Sequence, residues 1–332
     1  MTTVLVTGAT GCVGANIVEA LLKRGYTVRA LRRETSSLRA LAGLEPELVT
    51  GDVMDLPALR AAMAGCDGVF HAAAISQYWR NEPATIYAVN VEGTRNVLQA
   101  ARETGVRRVV YTSSVGALGK PARHGALLDE RATFNLPPAR FPYGHSKALA
   151  EAEVLQAVAG GLESAFEAVI VNPVTVIGRR DVGFVGGEFL RAARQGKAFA
   201  APPGGVGIIP ASAVGRGHVL AFERGRNGER YILNGENILY RQLMRIVAEV
   251  VGARSPAFVI PGPALALAAG VVDLARRFRG APLLVEGNQM RLSVQRLFYD
   301  ASKAERELGL APVSARHAVE EAWAWYQAEG LL

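Results

Sequence analysis

Cysteine is scarce in this chain: Cys12 and Cys66 stand far apart, with neither a disulfide framework nor metal-ligand spacing, so no metal site is expected. A reduced, intracellular and cytoplasmic protein is the expectation, and the start of the chain supports it. The sequence runs directly into Val4-Leu5-Val6, which leaves no room for a basic segment and an apolar signal core. Long apolar runs are missing too. The most apolar stretch, residues 264–272, is followed by Asp273 and Arg276 and is too short for a span of ~20 residues, which excludes stable membrane insertion. It reads as a core helix or one covering the active site, with a membrane-surface or lipophilic-ligand role as the alternative.

Charge of one sign is in excess, with 37 Lys and Arg against 30 Asp and Glu, but it is spread along the chain. The short basic clusters Arg107-Arg108, Arg179-Arg180 and Arg276-Arg277-Phe278-Arg279 lack the aromatic interleaving of a single-strand-binding surface, so nucleic acid is not an expected partner. With half of its 332 residues apolar and a fifth charged, the chain is long enough for about two globular domains.

Apolar, β-branched runs at 4–6, 27–31, 47–50, 68–70, 109–112 and 168–171 alternate with helix-like segments, the longest being 85–103 and 143–159. That alternation predicts an α/β fold with a doubly wound parallel sheet. Past Gly178 the strands become sparse, and Gly and Pro cluster at Ala201-Pro202-Pro203-Gly204-Gly205. A dinucleotide-binding domain over 1–178 and a smaller, mainly helical substrate lobe over 179–332 are therefore expected, with some segments of the second returning to the first.

Thr7-Gly8-Ala9-Thr10-Gly11-Cys12-Val13-Gly14 joins the first strand to the first helix. Gly8 would permit the tight turn, Gly11 the approach of a pyrophosphate, and Gly14 the packing of helix on strand, with the helix amides receiving the phosphates. The second strand ends in Arg32-Arg33 where an acidic residue would favour NAD(H). Two guanidinium groups suit a 2′-phosphate, so NADP(H) is favoured and NAD(H) remains possible. Asp52-Val53, after the third strand, is placed to meet the adenine.

In Tyr143-Gly144-His145-Ser146-Lys147, the Tyr and the Lys lie four apart on one helix face. A neighbouring ammonium favours the ionised phenol, which would let Tyr143 exchange protons nearer neutrality.

The glycine turn, His71-Ala72-Ala73-Ala74, Thr112-Ser113-Ser114, the Tyr143 to Lys147 segment, Asn90-Val91-Glu92-Gly93-Thr94, Asn172-Pro173 and Asp300-Ala301-Ser302-Lys303-Ala304, in this order, resemble the extended short-chain dehydrogenase/reductases. The resemblance implies that Tyr143 is the general acid/base and that Lys147 is both its electrostatic partner and a ligand of the nicotinamide ribose. It makes Ser114 the group that bonds the reacting oxygen. Ala72, Ala73 and Ala74 would line the cofactor, Thr112 would lie beside it, and Asn172-Pro173 would flank the nicotinamide. Asn90 reads as a loop buttress and His71 as structural. The implied reaction passes hydride between nicotinamide and a small-molecule carbonyl or alcohol, and a homodimer is implied through helices 85–103 and 143–159.

Two subgroups compete. Reductases similar to dihydroflavonol and cinnamoyl-type reductases would take a lipophilic ketone or aldehyde. Nucleotide-sugar epimerases or dehydratases would retain NAD, and the segment 169–178 resembles proteins labelled hopanoid-associated sugar epimerases. Arg32-Arg33 favours the reductase; Asn172 and Arg291, as possible pyrophosphate contacts, favour the epimerase. A cofactor-sensing protein without turnover is the reading from another class, and the presence of both Tyr143 and Lys147 argues against it. Where many relatives carry acids before Gly217-His218, this chain has Pro210-Ala211-Ser212-Ala213-Val214.

Overall fold

The computed structural model describes residues 2–76, 80–123, 125–159, 166–279 and 287–332, and of 276–279 the backbone alone. Strands β1 (Thr3–Thr7), β2 (Thr27–Arg32), β3 (Glu47–Thr50), β4 (Gly68–His71), β5 (Arg108–Thr112) and β6 (Glu167–Pro173) form a parallel sheet. Its order places β1 between β2 and β4, with β5 and β6 beyond β4. The apolar runs become strands because both faces of the sheet are covered. Val4 and Val6 point into one core with Ile17 and Leu21 of α1 (Cys12–Lys23). Leu5, one residue out of phase, enters the opposite core with Leu59 of α2 (Leu56–Met63).

The predicted helix 85–103 is interrupted. It comprises α3 (Pro83–Tyr87), a π-helical turn at Ala88–Glu92 and α4 (Gly93–Glu103). The second long helix is α5 (Pro142–Ala157), on the same face of the sheet as α4. β7 (Thr175–Ile177) then leads into the second layer, which holds α6 (Glu188–Arg194), β8 (Ala200–Ala201) and β9 (Gly205–Pro210).

After β9 the chain returns to the main sheet. α7 (Ala211–Arg224) supplies Val214 and Val219 to the core beside α1, and β10 (Arg230–Leu233) pairs in parallel with β6 as the seventh strand. Two elements beyond residue 179 thus complete the dinucleotide-binding layers. The segment Pro210 to Val214, which carries no acid, begins α7, and the acid comes from elsewhere. Glu321 Oε1 accepts from the Ser212 amide at 3.2 Å and from the Arg179 amide at 3.3 Å, while the Ser212 hydroxyl donates to Glu321 Oε2.

The remaining elements are β11 (Glu236–Leu239), α8 (Tyr240–Val251), β12 (Phe258–Val259), α9 (Gly262–Arg279), α10 (Gly287–Leu292), β13 (Arg296–Leu297) and α11 (Ala315–Ala328). The second lobe contains more sheet than its sparse apolar runs suggested. β9 is flanked by antiparallel β11 and parallel β13 and also pairs with β7, and this small sheet packs with α6, α8 and α11 around Ile208, Leu243 and Tyr326.

Candidate active site

The turn between β1 and α1 needs two of its glycines for steric reasons. Gly8 has φ +67°, and a Cβ there would stand 2.6 Å from the Ala73 nitrogen in the loop after β4. At Gly14 a Cβ would fall 2.1 Å from the Gly8 carbonyl oxygen, so only glycine lets α1 start this close to the strand. The Cβ position of Gly11 meets only the Gly8 oxygen at 3.4 Å, which leaves the helix end open. No side chain caps α1 there, so its first amides are available to an anion, with Thr10, Cys12 and Val13 partly exposed beside them. The residues fit a dinucleotide pyrophosphate. Cys12 contacts the Arg179 carbonyl at 3.6 Å, and burial next to Asp181 and Glu321 pushes its thiol well up, which suits packing rather than nucleophilic chemistry.

Arg32 ends β2, with its Nη1 3.2 Å from the Glu34 carbonyl, and Arg33 is exposed. Among the described residues neither guanidinium has a carboxylate within 4.0 Å. Asp52 Oδ1 accepts from the Met54 amide at 2.9 Å, while Val53 is largely enclosed and its carbonyl accepts from Asn96.

The loop carrying Ala72, Ala73 and Ala74 is tied down at both ends. The Ala72 amide donates to the Thr7 carbonyl at 3.2 Å and that of Ala73 to the Thr7 hydroxyl at 3.3 Å. Asn90, inside the π-helical turn, accepts from the Ile75 amide at 2.8 Å and donates to Ser146 Oγ at 3.0 Å. His71 sits between the Thr7 and Thr94 hydroxyls at 2.7 and 3.1 Å. Burial pulls its pKa down to about 3, which keeps the ring neutral.

Ser114 ends the loop after β5 and caps a short 3-10 turn, its Oγ accepting from the Gly116 amide at 3.1 Å. The start of α5 lies directly on this turn: a Cβ at Gly144 would be 2.5 Å from the Gly116 oxygen. That approach sets the Tyr143 ring beside Ser114: a Cβ on Gly116 would stand 3.7 Å from the ring and 3.4 Å from Ser114 Oγ. Lys147, 2% exposed, donates to the Thr112 carbonyl at 2.8 Å and lies 3.3 Å from the Tyr111 hydroxyl.

The electrostatics differ from the expectation that the ammonium would pull the phenol toward neutrality. Burial pushes Tyr143 above its ordinary 10, with the Ser114 hydrogen bond opposing. Lys147 is itself pulled down to about 7 by burial, with Glu151 opposing. Desolvation penalises both charged forms.

Behind this pair lies a group that the sequence reading passed over. Glu151 is one further turn along α5 and fully buried. It accepts from the Ser113 hydroxyl and, at 2.6 Å, from Asn172 Nδ2, and its Oε2 is 2.9 Å from the Arg230 guanidinium. Burial raises its pKa, and Arg230 opposes the rise. The spacing of four from Lys147 was a usable signal for Glu151; nothing in the local sequence marks Arg230, which arrives on β10. His218 on α7 was missed as well: its Nδ1–H donates to Val214 and its Nε2 accepts from the Thr112 hydroxyl at 2.9 Å.

Asn172, expected beside the nicotinamide, is fully enclosed: its amide Nδ2 donates to Glu151 and, at 3.1 Å, to the Ser114 carbonyl, while its Oδ1 has no hydrogen-bond partner. Pro173, next along β6, is also buried. Thr112 acts through its carbonyl on Lys147, because its hydroxyl is engaged by His218.

A cavity of about 250 Å³ opens beside the start of α5, between Lys120, Leu136, Arg140 and Phe141 on one side and Asn288 and Arg291 of α10 on the other. Arg291 Nη1 is 2.7 Å from Asp273 Oδ2. Among the described residues no group of three or more His, Cys, Asp or Glu could hold a metal ion.

Comparison with known proteins agrees with this geometry. The model of the "NAD dependent epimerase/dehydratase family" matches residues 4–207. Sterol demethylase protein B of Methylococcus capsulatus is 37% identical, covering 99% of this chain and 100% of that protein. A Stigmatella aurantiaca protein named 4-hydroxy-2-methyl-3-oxo-4-farnesyl-3,4-dihydroquinoline-1-oxide ketoreductase is 33% identical, covering 92% and 91%. The crystal structure of gox2253 superposes with a TM-score of 0.86 at 37% identity over 100% of both chains.

Proposed function

From the premise that the chain belongs to the NAD dependent epimerase/dehydratase family, and is an NAD(P)-dependent oxidoreductase of the extended short-chain dehydrogenase/reductase type, we propose that it reduces a lipophilic ketone or aldehyde using NADP(H). The observation that carries this reading is the placement of Ser114 Oγ and the Tyr143 ring around one point, 3.4 and 3.7 Å from where a Gly116 Cβ would stand, beside a buried amine and next to a glycine turn shaped for a dinucleotide. Leu136, Pro137, Phe141 and Leu292 in the lining of the neighbouring cavity, beside the cations Lys120, Arg140 and Arg291, support a substrate with a lipophilic part. The similar ketoreductase named for a farnesyl-bearing ketone supports it further.

The bound nicotinamide supplies the hydride. Tyr143 gives its phenolic proton to the substrate oxygen as that oxygen gains charge. Ser114 Oγ already accepts from the Gly116 amide, so its own proton is free to turn from Tyr143 to the same oxygen. Two of the three Lys147 protons are taken by the Thr112 carbonyl and the Tyr111 hydroxyl; the third is left for a ribose hydroxyl or for the phenolate that remains on Tyr143. Gly8, Gly11 and Gly14 with the first turn of α1 would hold the pyrophosphate, and Arg32 with Arg33 would hold a 2′-phosphate.

The deciding experiment follows NADPH oxidation against a panel of lipophilic aldehydes and ketones, with Tyr143→Phe as control. The variant should lose about 100-fold to 10,000-fold in turnover while still binding NADPH. Turnover at the wild-type rate in Tyr143→Phe would show that the acid is another group. Tightly held NAD after purification, with no net NADPH oxidation, would point to the epimerase instead.

A further inference from the structure

The second lobe carries an apolar, basic face that the reaction does not use. On α9, Leu265 and Ala269 are buried, while Leu267, Val271 and Leu274, at helical spacing on the opposite side, are 74%, 62% and 55% exposed. Just before α9, the short β8/β12 ribbon exposes Phe199 (66%) and Phe258 (53%), with ring centroids 6.4 Å apart. Arg194, Lys197 and Arg254, within five residues of Phe199 or Phe258 along the chain, are exposed as well. The two stretches that carry this face, residues 194–206 and 250–272, contain no Asp or Glu. The acids that border the second stretch, Glu249 and Asp273, are paired with Arg316 at 2.5 Å and Arg291 at 2.7 Å.

We infer that this face docks the protein on the surface of an anionic phospholipid bilayer, with the α9 stripe and the two phenylalanines in the acyl boundary and the basic residues among the headgroups. Large apolar side chains exposed in a row favour an apolar partner, and the positive charge of Arg194, Lys197 and Arg254, with the bordering acids already paired, favours a negatively charged one. A second copy of this chain would bring like charges together, which disfavours self-association through the same face. Among the described residues no helix is long and apolar enough to cross a membrane, so docking is peripheral. The arrangement also has a use. α10 is clamped to α9 through the Asp273–Arg291 pair, and α10 borders the cavity next to Phe141, two residues before Tyr143. A docked α9 would hold that cavity close to a bilayer from which an apolar molecule could enter. The docking itself rests on the surface and not on the reaction.

The test is flotation of the full-length chain with vesicles of neutral phosphatidylcholine alone or with about 30 mol % phosphatidylglycerol. The expected result is binding to the anionic vesicles that weakens with salt. Leu267→Glu with Val271→Glu should abolish it, and Lys197→Glu should weaken it about fivefold or more. Both changes are at exposed positions, and unchanged melting with retained NADPH binding would show that the fold survives. No binding of the wild-type chain to anionic vesicles at low salt would overturn the inference, as would equal binding to both vesicle types or a Leu267→Glu, Val271→Glu variant that floats like the wild type. Sedimentation showing a dimer that this double variant dissociates, with the vesicles ignored, would assign the face to a second copy instead.

Discussion

Replacing Glu151 by Gln tests whether the buried carboxylate behind Lys147 sustains the site. The change is isosteric but removes a charge and turns one acceptor into a donor. Oε1 faces the Ser113 hydroxyl and the Asn172 amide, and Oε2 faces Arg230 at 2.9 Å. Whichever way the new amide turns, its NH₂ meets a donor. Breaking a buried pair from one side costs about 3–5 kcal/mol, and because the Arg230 side chain is 23% exposed, about 2–4 kcal/mol is the better expectation. At about 2 °C per kcal/mol for a chain of this size, the melting temperature should fall by about 4–8 °C.

A second readout separates this role from packing alone. Glu151 is what holds the Lys147 pKa up against burial, so without it the amine loses its proton at a lower pH than about 7. If the ammonium form supports turnover, the alkaline limb of kcat/KM moves to lower pH in Glu151→Gln. Arg230→Met should reproduce the loss of stability, and the double variant should cost less than the sum of the two changes. A Glu151→Gln protein melting within about 1 °C of the wild type, with the alkaline limb unmoved, would refute the reasoning.

Lys147 also makes the unliganded fold depend on pH. The unfolded lysine takes up its proton below about 10.4 and the folded one only below about 7, so unfolding gains a proton between these values. Stability should therefore rise with pH across that window, and Lys147→Met should flatten the rise in a denaturant series. Arg32→Ala with Arg33→Ala should weaken NADPH binding about 10-fold to 100-fold and leave NADH nearly unchanged; equal losses for both cofactors would remove the 2′-phosphate role. Glu321→Ala leaves the Ser212 and Arg179 amides without their acceptor, so it should cost about 1–3 kcal/mol and speed hydrogen exchange at those two amides.

The inner strands β1, β4, β5 and β6 were legible because their apolar runs are buried on both faces, a pattern that needs no partner to be recognised; the edge strand β3 is largely exposed, and the seventh strand, β10, escaped. The glycine turn was legible for a related reason: Gly8, Gly11 and Gly14 act within a few residues of one another. What escaped was whatever depends on distant segments. The acid that seemed missing near Pro210 is supplied by Glu321 from α11, over 100 residues later. The π-helical turn at Asn90 depends on Thr94, whose hydroxyl takes the Asn90 carbonyl at 2.7 Å, and on the loop at Ile75 that Asn90 must reach.

The same division runs through the catalytic helix. Tyr143, Lys147 and Glu151 follow at intervals of four, so one face of α5 carries all three, but that spacing points to a site only together with the glycine turn and Ser114. Spacing does not fix how far that face stands from Ser114. The fit of Gly144 onto the Gly116 carbonyl does so, because any Cβ there would push the helix away from the 3-10 turn and take the phenol out of reach of the serine. The proton transfer proposed for Tyr143 would therefore depend on a backbone contact as much as on the side chains assigned to it, and a helix face rich in the right residues would do little without that approach.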